Sequence, residues 1–142
     1  MTARAFPNLK FRQPVEIRYN EVLNRFFVLE LEGLVYSFPP DELVEKADLV
    51  YDLRANVPEA SRAYGLEFHP DFDKTGEVFF CYVLGRKTKD GTHVARYRIP
   101  KEDGPPRFDP GSREVLITWL SGGHNGGSLN FGKDGMLYIS TG

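Results

Sequence analysis

The chain has 142 residues, of which 41% are hydrophobic and 27% charged, an ordinary composition for a globular domain with a real core. Its 18 basic and 20 acidic residues give a formal net charge of -2 with no basic run, so a nucleic-acid or anionic-membrane surface is not indicated. No apolar run approaches the roughly 18 residues of a membrane span, and the N-terminus carries no signal-peptide pattern.

Short runs rich in Phe, Tyr, Val and Ile, separated by glycine and proline, predict strands and little helix. In chain order the predicted strands are 14–19, 25–31, 34–38, 49–53, 65–69, 77–84, 93–99, 114–120, 128–131 and 136–140. The segment 41–47, after two prolines, is the one helical candidate. Glu32-Gly33, Asp90-Gly91 and Asp134-Gly135 predict tight turns between strands.

The single cysteine lies within one of these strands, in the run VFFCYV. One cysteine excludes an internal disulfide and a cysteine-based zinc site. No charged neighbour would activate the thiol, so we expect Cys81 to be a small buried hydrophobe. Trp119 alternates with Ile117 on another predicted strand and is expected in the core.

A strand–turn–strand pattern occurs three times, with starts at residues 14, 65 and 127. Four strands per repeat at this spacing favour an all-β β-propeller over an immunoglobulin-like sandwich, which would not repeat itself. We expect blade 1 at about 8–45, blade 2 at about 46–103 and an incomplete blade 3 at about 111–142. The innermost strands are then 15–17, 65–68 and 128–131. Because blades bury their faces against neighbours, the chain is expected to be a fragment that self-associates in isolation.

The stretch 121–128 (SGGHNGGS) places four glycines around His124 and Asn125, just ahead of a predicted strand. A two-residue hairpin needs one or two glycines. Glycines on both sides let backbone approach a flat ligand and leave the imidazole uncrowded. In a propeller, the loop entering the innermost strand opens at the channel mouth. His124 is therefore the leading candidate for a functional residue, against the alternative of a simple turn histidine.

Two motifs give the pattern a family. Residues 65–72 (GLEFHPDF) resemble the G-L-x-F-H-P-D-F signature of soluble quinoprotein sugar dehydrogenases. Residues 124–142 (HNGGSLNFGKDGMLYISTG) resemble that family's H-N-G-G-x-L-x-F-G-P-D-G-x-L-Y-I-S-T-G, and residues 26–38 resemble its first blade. The chain is similar to the glucose/sorbosone dehydrogenase family, whose fold is a six-bladed propeller.

The resemblance implies a periplasmic or secreted enzyme that oxidises a sugar at its C1 hydroxyl, using pyrroloquinoline quinone with calcium. The family's H-N-G-G histidine is the general base that takes the hydroxyl proton while hydride moves to the quinone, and this role falls on His124. Gly126 and Gly127 would make room for the substrate or cofactor plane, and Asn125 is a further candidate contact. Arg62 would face the same mouth, either binding a cofactor carboxylate or remaining a solvated loop charge.

The chain also departs from the family. The family's cofactor-contacting glutamine aligns with Ala60, and no glutamine lies nearby. The family's calcium ligands come from later blades, so no metal ligand is assigned here. His124 favours an enzyme, whereas the missing glutamine favours an altered cofactor pocket or a carbohydrate- or protein-binding module; a plain repeat scaffold is the third alternative. The motifs identify neither the sugar nor the electron acceptor.

The remaining polar candidates have structural explanations. His69, between Phe68 and Pro70, is expected to stabilise a turn, and His93 to lie on the surface. The spacing of Asp71 and Asp73 does not match a calcium loop and indicates turn chemistry. The charged stretch 86–90 is expected to be a solvated hairpin tip.

Overall fold

The computed structural model describes all residues, 1–142, as ten strands in three antiparallel sheets. Sheet 1 contains β1 (Pro14–Asn20), β2 (Arg25–Glu30), β3 (Leu34–Phe38) and β4 (Asp48–Asp52). Sheet 2 contains β5 (Arg62–Phe68), β6 (Glu77–Val83), β7 (Thr92–Arg98) and β8 (Asp109–Trp119). Sheet 3 contains β9 (Ser128–Phe131) and β10 (Leu137–Ser140). In each sheet, strands follow in chain order, as hairpins require.

Two single-turn helices complete the fold, α1 (Leu53–Asn56) and α2 (Phe72–Thr75). Neither is long enough to cross a membrane.

Tight turns between consecutive strands explain why the sheets are meanders. At the β2–β3 turn, Gly33 has φ 92° and its N–H donates to the Glu30 carbonyl at 2.8 Å. Glycine adopts this backbone conformation without the steric cost of a side chain, as the turn prediction required.

The three sheets meet along their first strands, with β1 packed beside β5 and β5 beside β9. The prediction of three innermost strands in three successive sheets is therefore confirmed. Sheets 1 and 2 enclose a core rich in aromatic side chains, including the stacked rings of Tyr51 and Phe108. Sheets 2 and 3 enclose a smaller core in which Cys81 is fully buried, as expected.

Two expectations differ from the structure. Residues 41–47 form no helix: the Asp41 carboxylate accepts from the Leu43 N–H at 2.9 Å, which makes a turn. The sheets also end later than the expected blade boundaries. Strand β4 pairs with β3 and completes sheet 1, and β8 pairs with β7 and completes sheet 2. A long connection precedes each of these strands, and only the backbone pairing shows to which sheet it belongs.

Candidate functional site

The glycine-rich loop between β8 and β9 begins at a fully buried serine, Ser121. Its Oγ accepts a hydrogen bond from the Thr88 N–H at 2.9 Å and donates a short one to the Gly85 carbonyl. Both partners belong to the hairpin tip between β6 and β7. Ser121 therefore fixes that tip against the start of the glycine loop.

The loop is closed by the side chain of Asn125. Its Oδ1 accepts from the Gly122 N–H at 2.7 Å, and its Nδ2 donates to the Gly122 carbonyl at 3.1 Å. Asn125 was predicted to contact a cofactor, and the structure gives its amide a role in shaping the loop. His124 lies within this closed loop, between Gly122 and Asn125. It is exposed, and its imidazole forms no hydrogen bond within the chain.

A polar cleft of about 370 Å³ lies beside the loop. Its lining comes from the start of β5, the end of β6 with its hairpin tip, and the glycine loop: Ser61, Arg62, Tyr64, Val83, Gly85, Arg86, Gly123 and Asn125. The structure thus brings together two of the predicted site residues, Arg62 and Asn125. The side chain of His124 does not line the cleft, although both of its chain neighbours do.

The two other predicted site residues are glycines in tight packing. A Cβ on Gly127 would lie 2.3 Å from the Cys81 Sγ, and a Cβ on Gly65 would lie 1.9 Å from the Gly127 carbonyl oxygen. A Cβ on Gly126 would lie 3.2 Å from the Gly142 nitrogen. Close packing against Cys81 of β6 therefore accounts for Gly127 without a ligand. That these two glycines also leave room for a ligand plane stays a prediction.

Arg86 is the residue that sequence reasoning missed. As expected, it lies exposed on the hairpin tip between β6 and β7, but it also lines the cleft, and a Cβ on Gly123 would lie 3.2 Å from its Nη2. No local pattern marks Arg86, because its place depends on a bond between Ser121 and a segment 33 residues away. Neither Arg62 nor Arg86 pairs with a carboxylate, whereas five other arginines do: Arg18, Arg25, Arg54, Arg96 and Arg98.

The other two histidines have different surroundings. The His69 Nδ1 accepts from the Asp71 N–H at 3.0 Å, which confirms its predicted turn-stabilising role. His93 was expected on the surface and is partly covered there. It is half-buried, with Nε2 3.0 Å from the Asp90 carbonyl and Nδ1 3.3 Å from the Tyr82 hydroxyl. Burial lowers the pKa of His93 below its usual value.

The position aligned with the family's glutamine contributes nothing to the cleft. Ala60 is buried in the core between sheets 1 and 2, and its N–H donates to the Val57 carbonyl at 2.9 Å. A larger cavity, of about 640 Å³, lies between the N-terminal segment and sheet 1. Eight of its 11 lining residues are hydrophobic, and its two charged residues have partners within the chain: Arg4 donates to the Leu9 carbonyl, and Glu16 pairs with Arg18.

Comparisons with known proteins agree with this fold. A sequence profile described as "Glucose / Sorbosone dehydrogenase" matches residues 12–142. Hedgehog-interacting proteins of Mus musculus and Homo sapiens are 30% and 29% identical over 92% of this chain. The match covers 21% of each of these relatives, so the chain spans about a fifth of their length.

Two solved structures share the architecture. The PQQ-bound aldose sugar dehydrogenase of Streptomyces coelicolor superposes with a TM-score of 0.76 at 19% identity, over 98% of this chain and 40% of its own. A glucose dehydrogenase superposes with a TM-score of 0.65 at 22% identity, over 92% of this chain and 38% of its own. The three antiparallel sheets therefore follow the β-propeller-like fold of these enzymes.

Proposed function

We propose that this chain, which belongs to the glucose/sorbosone dehydrogenase family, supplies the general base of a quinone-dependent sugar dehydrogenase. The proposed base is His124. The observation that carries the proposal is the state of the His124 imidazole. It is exposed and free of hydrogen bonds, on a loop that Ser121 and Asn125 hold in place. A general base must be free to reach the hydroxyl that it deprotonates, and this imidazole is free.

The chain's residues divide the work as follows. Neutral imidazole of His124 accepts the proton from the sugar C1 hydroxyl. Pyrroloquinoline quinone, when bound, supplies the hydride acceptor. It is a planar tricarboxylate, and the cleft fits one part of it, because Arg62 has a guanidinium without an internal carboxylate partner. Ala60 offers no group in place of the family's glutamine, and we assign no calcium ligand in this chain.

The test is His124→Ala in the complete gene product, assayed for quinone-dependent oxidation of a panel of aldoses. We expect turnover to fall about 10²–10⁴-fold, the usual contribution of acid–base catalysis. The affinity for sugar should change much less, because the base acts on the proton that is transferred in the transition state. His69→Ala is the matched control: it removes a structural imidazole and should leave turnover per folded molecule unchanged. Wild-type turnover in His124→Ala would remove the catalytic assignment.

A second candidate is a binding module for a protein partner, placed outside the cell or in the periplasm. It is favoured by the relatives at 30% and 29% identity, whose name states an interaction with Hedgehog, and by the missing glutamine at Ala60. Immobilised Hedgehog protein, probed with the complete gene product, tests this candidate. Saturable binding without any aldose oxidation would put the binding module ahead of the enzyme.

A further inference from the structure

We propose that Arg62 and Arg86 together bind an organic carboxylate in the cleft beside the glycine loop, and that Ser121 positions Arg86 for this task. The inference deepens the proposed function, since the cofactor's carboxylates are one source of such a ligand. It assigns a role to two residues, Arg86 and Ser121, that the family motifs do not mark.

The positions of Arg62 and Arg86 at one end of sheet 2 bring both to one cleft. Arg62 opens β5 and pairs in register with Val83, the last residue of β6. Arg86 lies three residues beyond Val83, so both arginines stand at the same end of sheet 2. Both line the same cleft, whose 370 Å³ would hold a small ligand.

All the charged side chains that line the cleft are cationic. No acidic side chain lines the cleft, and neither arginine forms a salt bridge, so two cations share one pocket without a counter-charge. Guanidinium groups bind carboxylates through paired parallel hydrogen bonds, which makes arginine well suited to planar anions. A ligand carboxylate would supply the missing counter-charge to these two exposed guanidinium groups.

Hydrogen bonds from Ser121 hold the segment of the hairpin tip that carries Arg86. Ser121 is fully buried, and its hydroxyl bonds both Gly85 and Thr88, the residues on either side of the Arg86-Lys87 pair. On the other side, Gly123 leaves room for the guanidinium, because a Cβ there would lie 3.2 Å from Nη2. A buried hydroxyl therefore holds the backbone on both sides of Arg86, and Gly123 leaves space beside its exposed guanidinium.

The test measures binding to the complete gene product by isothermal titration calorimetry, with citrate and, separately, pyrroloquinoline quinone as probes. For whichever probe binds, we expect Arg86→Gln to raise the dissociation constant about 10-fold or more, which is the usual contribution of a charge-assisted hydrogen bond. Arg86→Lys, which keeps the charge and loses the fork, should recover part of that loss. Arg107→Gln is the control, since Arg107 is exposed, lies outside the cleft and should leave affinity unchanged.

Ser121→Ala tests positioning through a double-mutant cycle. If Ser121 acts through Arg86, Ser121→Ala should weaken binding in the wild-type background and add little in the Arg86→Gln background. Additive losses would overturn the positioning role. Circular dichroism and thermal unfolding establish that each variant is folded before its affinity is read.

The two probes separate this inference from the proposed function. If citrate binds, the quinone does not, and Arg86→Gln abolishes citrate binding, the carboxylate site is supported. The proposal that this protein uses the quinone is then rejected. If the quinone binds equally well to wild type and Arg86→Gln, the role of Arg86 is overturned. The proposed general-base role of His124 is not affected by that result. Absence of binding by either probe overturns the site.

Discussion

The Arg18 guanidinium donates a 2.9 Å hydrogen bond to the Leu129 backbone carbonyl, although 111 residues separate the two in the chain. Its Nε also donates to the Leu66 carbonyl at 3.1 Å, and its Nη1 lies 3.3 Å from a Glu67 carboxylate oxygen. One side chain on β1 therefore bonds to β5 and β9, the innermost strands of the other two sheets. Each innermost strand has one edge without a ladder partner, so the carbonyls on that edge need such a donor.

Arg18→Met should consequently destabilise the chain by about 2–4 kcal/mol, because it removes charge-assisted hydrogen bonds and leaves part-buried carboxylates without a partner. It should also raise the pKa of Glu16 further, since burial already raises that pKa and Arg18 opposes the shift. Urea unfolding measures the first effect and carboxyl-carbon NMR titration the second. Arg107→Met is the control; a loss as small as the control's would show that Arg18 does not join the sheets.

The sequence predicted the strands well and the long-range polar contacts poorly, and the two results have one cause. Short apolar runs and turn glycines are local signals, and the run VFFCYV locates β6 and the buried Cys81 within it. The environment of His93 is set by Tyr82 on a neighbouring strand. Likewise, two pairs of glycines on either side of His124 and Asn125 mark that loop, whereas the position of Arg86 beside it depends on Ser121, far along the chain.

The approach of β9 to sheet 2 makes Gly127 sensitive to a single added methyl group. Gly127→Ala would set its Cβ 2.3 Å from the Cys81 Sγ, which cannot move in a packed core, so we expect a loss of about 1–3 kcal/mol. Cys81→Ala in the same chain removes the sulfur and should restore part of the stability. Thermal unfolding of the single and double variants measures this coupling.

Gly122→Ala is the matched control for that experiment. A Cβ on Gly122 would meet its nearest atom, the His124 carbonyl oxygen, at 3.7 Å, an ordinary contact. Its stability should stay within about 0.5 kcal/mol of wild type. Equal losses at Gly122 and Gly127 would indicate a general need for glycine flexibility in the loop instead of a close contact at Cys81.

Strand β8 should make the 142-residue chain self-associate. It is the last strand of sheet 2, and Val115, Leu116 and Ile117 are 37–49% exposed along it. Exposed apolar edge strands pair with other chains, and a lysine on the edge prevents this. Leu116→Lys should therefore lower the mean mass seen by analytical ultracentrifugation. Thr118→Lys adds the same charge without removing an apolar side chain and should have a smaller effect.

His93 should make the stability of the chain depend on pH near neutrality. Burial, followed by the charge of Arg113, lowers its pKa, while the Asp90 carbonyl and carboxylate oppose the shift. The Tyr82 hydroxyl, 3.3 Å from Nδ1, also accepts from the Arg113 Nε at 3.0 Å. Tyr82 can therefore donate to a neutral imidazole, whereas a protonated ring would place a second cation beside Arg113.

The sign of the pH effect follows from this lowered pKa. Between the folded pKa of His93 and its unfolded value of 6.5, the unfolded chain binds more protons, so stability rises with pH. The contribution is fully present above pH 6.5 and is lost as the pH falls through the folded pKa, at no more than about 1.4 kcal/mol per pH unit. Urea unfolding at several pH values should show this slope in wild type and a smaller one in His93→Gln. Arg113→Met should also reduce the slope, because removing the cation raises the pKa of His93. An unchanged slope in His93→Gln would assign the pH dependence to other groups.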